Sequence, residues 1–144
     1  MKKYKLALVG STGLVGITAR KVLEEKNLPI SEYAFFSSSK SAGNKINFLG
    51  KEYTVHELKE DSFDEGFDFA IFSAGGETSK RFSPIAASKG CIVVDNSSAF
   101  RMDKEVPLVV PEVNPDDIKW NKRNYCKSKL LNNPSRSSSK AIRW

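Results

Sequence analysis

Three glycines carry the first chemical signal in this chain. Gly10, Gly13 and Gly16 are spaced G-x-x-G-x-x-G. Before them runs the short apolar stretch Lys5-Leu6-Ala7-Leu8-Val9, and after them Val15, Ala19, Val22 and Leu23 recur at helical spacing. Glycine lets the main chain turn sharply and lets an anion approach it, and the helix that follows offers free N–H donors and a favourable dipole. A strand, this loop and a helix suit a dinucleotide pyrophosphate. The alternative is that the glycines only pack helix against strand. An NAD site usually adds an Asp or Glu about 20 residues further on, to hold the ribose 2′-OH. Here that region reads Phe36-Ser37-Ser38-Ser39-Lys40-Ser41, with no carboxylate. Hydroxyls and a cation suit a 2′-phosphate, which favours NADP.

Two more loops hold small or polar residues. Ser73-Ala74-Gly75-Gly76 allows backbone contact with a cofactor, and suits a plain helix entry equally well. Asp95-Asn96-Ser97-Ser98-Ala99-Phe100 ends at Arg101, whose planar fork could grip a phosphate or carboxylate. His56 reads as a surface residue and Cys91, at the start of a buried strand, as inert core. One His and two Cys, Cys91 and Cys126, leave little for a metal site and exclude a disulfide framework, so no metal and a reducing, cytoplasmic setting are expected.

The elements that must position these loops follow from apolar patterning. Residues 5–9, 32–36, 67–72 and 91–95 read as strands, the first two separated by a helix that stops before Pro29. Residues 46–49 and 53–58 flank Gly50-Lys51-Glu52 as a hairpin with a three-residue turn. A helix runs to Lys89 with Gly90 as its stop, and Pro84 fits only near its first turn or at a kink. Residues 106–110 form a further apolar, β-branched run. Alternating strands and helices predict an α/β fold, a Rossmann-like parallel sheet with flanking helices. Ligands of such sheets bind at the carboxyl ends of the strands. Loops 10–13, 37–43, 73–76 and 96–101 would line that one edge.

The 144 residues make about one domain and carry a net charge of +6. The charge is uneven. Residues 119–144 hold eight Lys or Arg and no Asp or Glu, whereas the other 118 residues hold 15 basic and 17 acidic side chains, a balance of −2. A basic excess confined to one end is poor support for nucleic-acid binding, and none is expected. No apolar run approaches the roughly 18–20 residues of a membrane helix, and no membrane partner is expected.

Taken in order, these loops resemble aspartate-semialdehyde dehydrogenases. The likeness covers about residues 4–122. It rests on the glycine loop, on Ser37-Ser38-Ser39-Lys40-Ser41-Ala42-Gly43, on Phe72-Ser73-Ala74-Gly75-Gly76, on Asp95 to Arg101, and on Val106-Pro107-Leu108-Val109-Val110-Pro111-Glu112-Val113-Asn114. The resemblance implies NADPH-dependent reduction of 4-aspartyl phosphate to the semialdehyde with release of phosphate, on the route to lysine, threonine and methionine. It places Thr12, Gly13, Leu14 and Val15 at the cofactor pyrophosphate and Lys40 and Ser41 at the 2′-phosphate, with Gly10 and Ser37 also among the cofactor-binding residues. Ser73, Ala74, Gly75 and Asn96 become further cofactor contacts, and Arg101 the residue that binds substrate phosphate. Lys40 stands where the family often has Arg, which keeps the charge but loses the bidentate fork, so NADP selectivity is softened. Parent enzymes of this kind are homo-oligomers acting on a small acyl phosphate or semialdehyde.

Beyond residue 121 the resemblance stops. The family continues with a stretch like KGIIANPNCSTIQ, whose Cys is the acyl-forming nucleophile. This chain reads Lys122-Arg123-Asn124-Tyr125-Cys126-Lys127-Ser128-Lys129-Leu130-Leu131-Asn132-Asn133-Pro134. One A inserted into a synonymous coding of the family stretch (AAAGGAATTATTGCA… becoming AAAAGGAATTATTGC…) yields this reading. Residues 1–121 are therefore expected to form an incomplete NADP-binding domain. Residues 122–144 are expected to be a frameshifted, disordered basic tail, with the substrate and dimerisation domain absent. Cys126 is not the family nucleophile, no catalytic residue remains, and the truncated chain is expected to be inactive. Two alternatives stay open: a domain like that of N-acetyl-glutamyl-phosphate reductase, and a non-catalytic nucleotide-binding module.

Overall fold

The computed structural model describes residues 2–100, 103, 106–109, 113, 115 and 116, together with the backbone of 125–128. Strand β1, Tyr4–Val9, lies in the middle of a sheet and is buried along its last four residues. Its parity splits the core. Leu6 and Leu8 face one side with Leu23, Tyr33, Phe35, Ile46, Phe48 and Val55. Ala7 and Val9 face the other side with Phe63, Phe67, Ala70, Phe72, Phe82, Ala86 and Val93. A strand covered on both faces has no polar side to show, which is why it reads as an unbroken apolar run.

Helix α1, Leu14–Lys26, covers the first face. It ends at Asn27, a left-handed residue with φ 45°, just before Pro29. Its buried positions are Gly16 and Leu23. Val15, expected on the buried stripe, is 41% exposed and Leu14 is 85% exposed, because the first turn stands at the sheet rim with the glycine loop below it. Strand β2, Ile30–Ser37, returns parallel to β1.

The next segment departs from expectation. Strands β3, Lys45–Phe48, and β4, Lys51–Thr54, pair so that Phe48 faces Lys51. The turn is therefore the two residues Leu49 and Gly50, both at positive φ (49° and 74°). That conformation matches the right-handed twist of paired strands, so the shorter turn replaces the expected three-residue one. His56 and Glu57 do not continue the hairpin. They form β5, His56–Glu57, which joins the main sheet beside Phe36 and Ser37.

Strand β6, Phe69–Phe72, pairs with β1 on its other side, and β7, Ile92–Asp95, pairs with β6. Helix α2, Gly76–Ser88, links them and covers the second face through Phe82 and Ala86. Pro84 is the ninth residue of α2, past its first turn. Proline has no N–H, so the bond to Lys80 O is missing there. Strands β8, Leu108–Val109, and β9, Tyr125–Ser128, complete a parallel sheet of order β5-β2-β1-β6-β7-β9-β8. The expectation of an unstructured tail fails at residues 125–128, whose backbone is seated between β7 and β8. The rest of that tail lies outside the described residues.

The order is the doubly wound one. From β1 the chain moves outward through β2 to β5, then crosses back to β6 on the opposite side of β1. The reversal leaves a crevice beyond the carboxyl ends of β1 and β6.

Candidate functional site

Four loops leave the carboxyl ends of β1, β2, β6 and β7, and backbone contacts tie each to its neighbour. Gly10 N and Ser11 N both donate to Phe36 O, at 2.9 and 3.1 Å. The Thr12 and Ser37 hydroxyls share a hydrogen bond of 2.7 Å, joining the glycine loop to the serine loop. On the other side, Ser73 N and Ser73 Oγ both donate to Val9 O, at 2.9 and 3.0 Å. Asn96 N donates to Phe72 O at 2.9 Å.

Gly10 makes the crevice narrow enough for this. Its φ is +83°, and a Cβ there would stand 2.7 Å from the carbonyl carbon and oxygen of Ser73 and 2.9 Å from Ala74 N. Only a residue without a side chain lets the first and third loops touch through their backbones. Gly16 does a different job. A Cβ on it would strike the carbonyl oxygen of Gly10, so this glycine seats α1 on the loop. Both glycines are thus fixed by contact with protein backbone, Gly10 against the third loop and Gly16 against Gly10 itself.

The first turn of α1 is open. Its N-cap is Gly13, no side chain caps it, and it carries no acidic residue. The N–H groups of the first turn and the positive end of the helix dipole thus have no capping side chain or acid to compensate them, a setting that favours an anion. Helix α2 differs in having Glu77 in its first turn.

Ser37 is buried, whereas Ser38, Ser39 and Lys40 are exposed beside it. Ser41 N and Ala42 N both donate to Ser38 O, and Gly43 N donates to Val55 O, which folds the loop back onto the hairpin. Lys40 makes no ion pair among the described residues. The structure thus brings Gly10, Thr12, Ser37, Ser73, Ala74 and Asn96 to one rim, with Gly13, Leu14, Val15, Lys40, Ser41 and Gly75 in the same loops. Arg101 and Cys126 fall outside the residues whose side chains are described.

Other groups singled out in the sequence sit elsewhere. His56 is exposed on β5 against the Phe36 ring. Cys91 is wholly buried and donates its thiol hydrogen to Phe67 O at 3.1 Å. Burial pushes that thiol up to about 11, the opposite of what a nucleophile needs.

Sequence reasoning missed Asp95 as an individual. This carboxylate is fully buried at the end of β7 and accepts from Ser79 Oγ at 3.1 Å and Ser97 N at 2.7 Å. The available signal was an acid closing an apolar strand just before Asn and Ser.

Comparison with known proteins agrees with this geometry. The aspartate-semialdehyde dehydrogenase of Aquifex aeolicus is 50% identical over 135 residues, 94% of this chain and 38% of that protein. The crystal structure of aspartate semialdehyde dehydrogenase II complexed with ASA from Vibrio cholerae superposes with a TM-score of 0.84 at 40% identity. It covers 89% of this chain and 42% of that one. The enzyme of Candida albicans, solved with NADP, gives a TM-score of 0.70 at 27% identity, over 82% of this chain and 36% of that one. The chain thus spans about two fifths of the length of such relatives. Among the described residues no helix is long and apolar enough to cross a membrane. The family model for the semialdehyde dehydrogenase NAD-binding domain matches residues 5–121, and the chain belongs to that family.

Proposed function

We propose that this chain is the NADP-binding part of an aspartate-semialdehyde dehydrogenase. The observation that carries the reading is the meeting of the Gly10, Ser37, Ser73 and Asn96 loops at the crevice between β1 and β6. The residues present suit the cofactor. Thr12, Gly13, Leu14 and Val15 border an uncapped helix end that would hold the pyrophosphate. Ser37, Lys40 and Ser41 offer hydroxyls and one cation, and residues 36–41 themselves hold no carboxylate. Ser73, Ala74, Gly75 and Asn96 would line the remaining wall, and the buried Asn96 Oδ1 has no partner among the described residues. When bound, the reduced nicotinamide supplies hydride.

In the whole enzyme the substrate is an acyl phosphate, 4-aspartyl phosphate, and the products are the semialdehyde and phosphate. Arg101 would hold the phosphate group. The setting is cytoplasmic biosynthesis of lysine, threonine and methionine by a homo-oligomer, without nucleic acid or membrane. Residues 122–134 do not match the family stretch that carries the nucleophile, so this chain contributes cofactor binding rather than turnover.

Titration with NADPH and with NADH, followed by nicotinamide fluorescence, tests the reading. NADPH should bind about tenfold tighter, a difference of about 1.4 kcal/mol. Equal affinities would remove the 2′-phosphate assignment, and binding of neither would remove the nucleotide site. Phosphate-dependent formation of NADPH from the semialdehyde should be undetectable, and turnover matching an intact relative would overturn that part.

A further inference from the structure

We propose that Asp95 is a positioning residue for nucleotide binding, its buried carboxylate clamping the 96–99 loop onto the first turns of α2. The inference rests on the nucleotide reading above, since its consequence is the placement of Asn96 and of the 73–76 loop.

Asp95 follows Val93 on the face of β7 that meets α2, and both are wholly buried. Its Oδ1 accepts two hydrogen bonds, one from Ser79 Oγ in α2 and one from Ser97 N in the loop. A carboxylate oxygen has two lone pairs, and here both are used. Ser79 is itself wholly buried, and its N–H donates to Gly75 O at 3.1 Å. The hydroxyl that grips Asp95 thus hangs from the turn that closes the 73–76 loop. On the far side the order continues, with Ala99 N donating to Ser97 Oγ at 3.1 Å. The loop also lies against the start of α2, where a Cβ on Gly76 would be 3.7 Å from Ser98 Oγ.

One oxygen atom therefore joins two of the four loops at the rim. Asn96 sits between its anchors. Its N–H is fixed to Phe72 O, and its neighbour Ser97 is fixed to Asp95. An apolar residue at position 95 would leave Ser79 Oγ and Ser97 N buried without an acceptor, and such groups move to find one. A shift of about 1 Å at a binding loop is enough to weaken a geometrically defined contact severely. The second oxygen, Asp95 Oδ2, is buried without a partner among the described residues, as is Ser83 Oγ one turn further along α2. The space around Oδ2 therefore supplies no reason of its own for an acid, and the bridging oxygen is what the position provides.

The test uses the full chain, with NADPH as the probe. Asp95→Ala and Ser79→Ala should weaken NADPH binding about five- to tenfold. Asp95→Asn keeps the bridging oxygen and should stay within about twofold of the unsubstituted chain. Its new amide hydrogens fall where Oδ2 has no partner, so its Tm should drop all the same. Amide exchange at Ser97 and Ala99 should accelerate in the two Ala variants and not in Asp95→Asn, with Leu8 of β1 unchanged throughout. A purely structural role predicts that affinity follows Tm across the series, and that pattern would overturn the clamp. Ala variants that bind NADPH within about twofold of the unsubstituted chain would overturn it as well. If Asp95→Ala does not fold, Ser79→Ala decides alone, since it removes one hydroxyl. A chain that binds no NADPH at all sinks the nucleotide reading and this inference together, whereas normal binding that ignores these substitutions sinks this inference only.

Discussion

Replacing Gly10 with alanine puts one methyl group into the backbone contact between the first and third loops. Two costs arise and can be separated. The first is conformational, because Gly10 has φ +83°, and an L-residue in the left-handed region costs about 1–2 kcal/mol. The second is steric. The new Cβ would lie 2.7 Å from the Ser73 carbonyl and 2.9 Å from Ala74 N, and backbone cannot swing away as a side chain can. Overpacking of this kind costs about 1–3 kcal/mol, for a total of roughly 2–5 kcal/mol. Gly66 is the control. Its φ is +79°, and a Cβ there meets nothing within 4 Å, so Gly66→Ala should show the conformational cost alone. Urea unfolding of both variants gives the difference directly. NADPH titration should show Gly10→Ala weakened more than about tenfold, because Ser73 must move, with Gly66→Ala unchanged. Equal destabilisation of the two variants, within about 0.5 kcal/mol, would show that the loops do not rely on close backbone approach.

Two further outcomes follow from single groups. The Cys91 thiol is raised to about 11 from its usual 9.0, so the folded chain keeps a proton that the unfolded chain releases above pH 9. Stability should hold below that pH and fall by about 2–3 kcal/mol as pH rises from 9 to 11. Urea midpoints at both ends of the window should show a smaller fall in Cys91→Ala than in the unsubstituted chain, since Tyr33 and Lys5, both raised, still titrate in the same direction. Lys40→Glu reverses the one exposed cation of the serine loop, and should weaken NADPH about tenfold or more while leaving NADH within about twofold. Equal losses for the two nucleotides would take Lys40 away from the 2′-phosphate.

The strands and the rim were legible because burial on two faces and sharp loops both write themselves into residue type. Residues 5–9 are apolar at every position from Leu6, and glycine at position 10 is required by the contact with Ser73. The hairpin was legible only in outline. Glycine at position 50 marks a turn, but the left-handed conformation of Leu49 is imposed by the register of Phe48 against Lys51, and leucine gives no sign of it. Position 56 misled for a related reason, since a one-residue break at Val55 moves His56 from hairpin to sheet edge. The stripe of α1 was misjudged at Val15, as helical spacing fixes which residues share a face but not where the sheet beneath them ends. Asp95 escaped because its role is defined by partners 16 residues away in α2 and two residues on in its own loop.

Strand β9 escaped for the deepest reason. A composition of Lys, Arg, Ser and Asn without apolar periodicity describes side chains that gain little from burial, and it argues against a packed core. Strand pairing is made by the main chain instead. Ile92 N and Asn96 N donate towards β6, so the N–H groups of Val93 and Asp95 face the other way, towards β9. An edge of that kind needs a partner with extended backbone more than one with a given side chain. Tyr125, Cys126 and Lys127 meet Val93, Val94 and Asp95 in register, while Lys127 and Ser128 meet β8. Lys127 is paired on both sides, whereas Cys126 pairs with β7 alone among the described residues, and a proline at 126 removes an N–H within that pairing. Cys126→Pro should therefore accelerate amide exchange at Val93 and Asp95 and leave Ala7 and Leu8 of β1 protected. Unchanged protection at Val93 and Asp95 would mean that the outer edge of β7 is satisfied without residues 125–128.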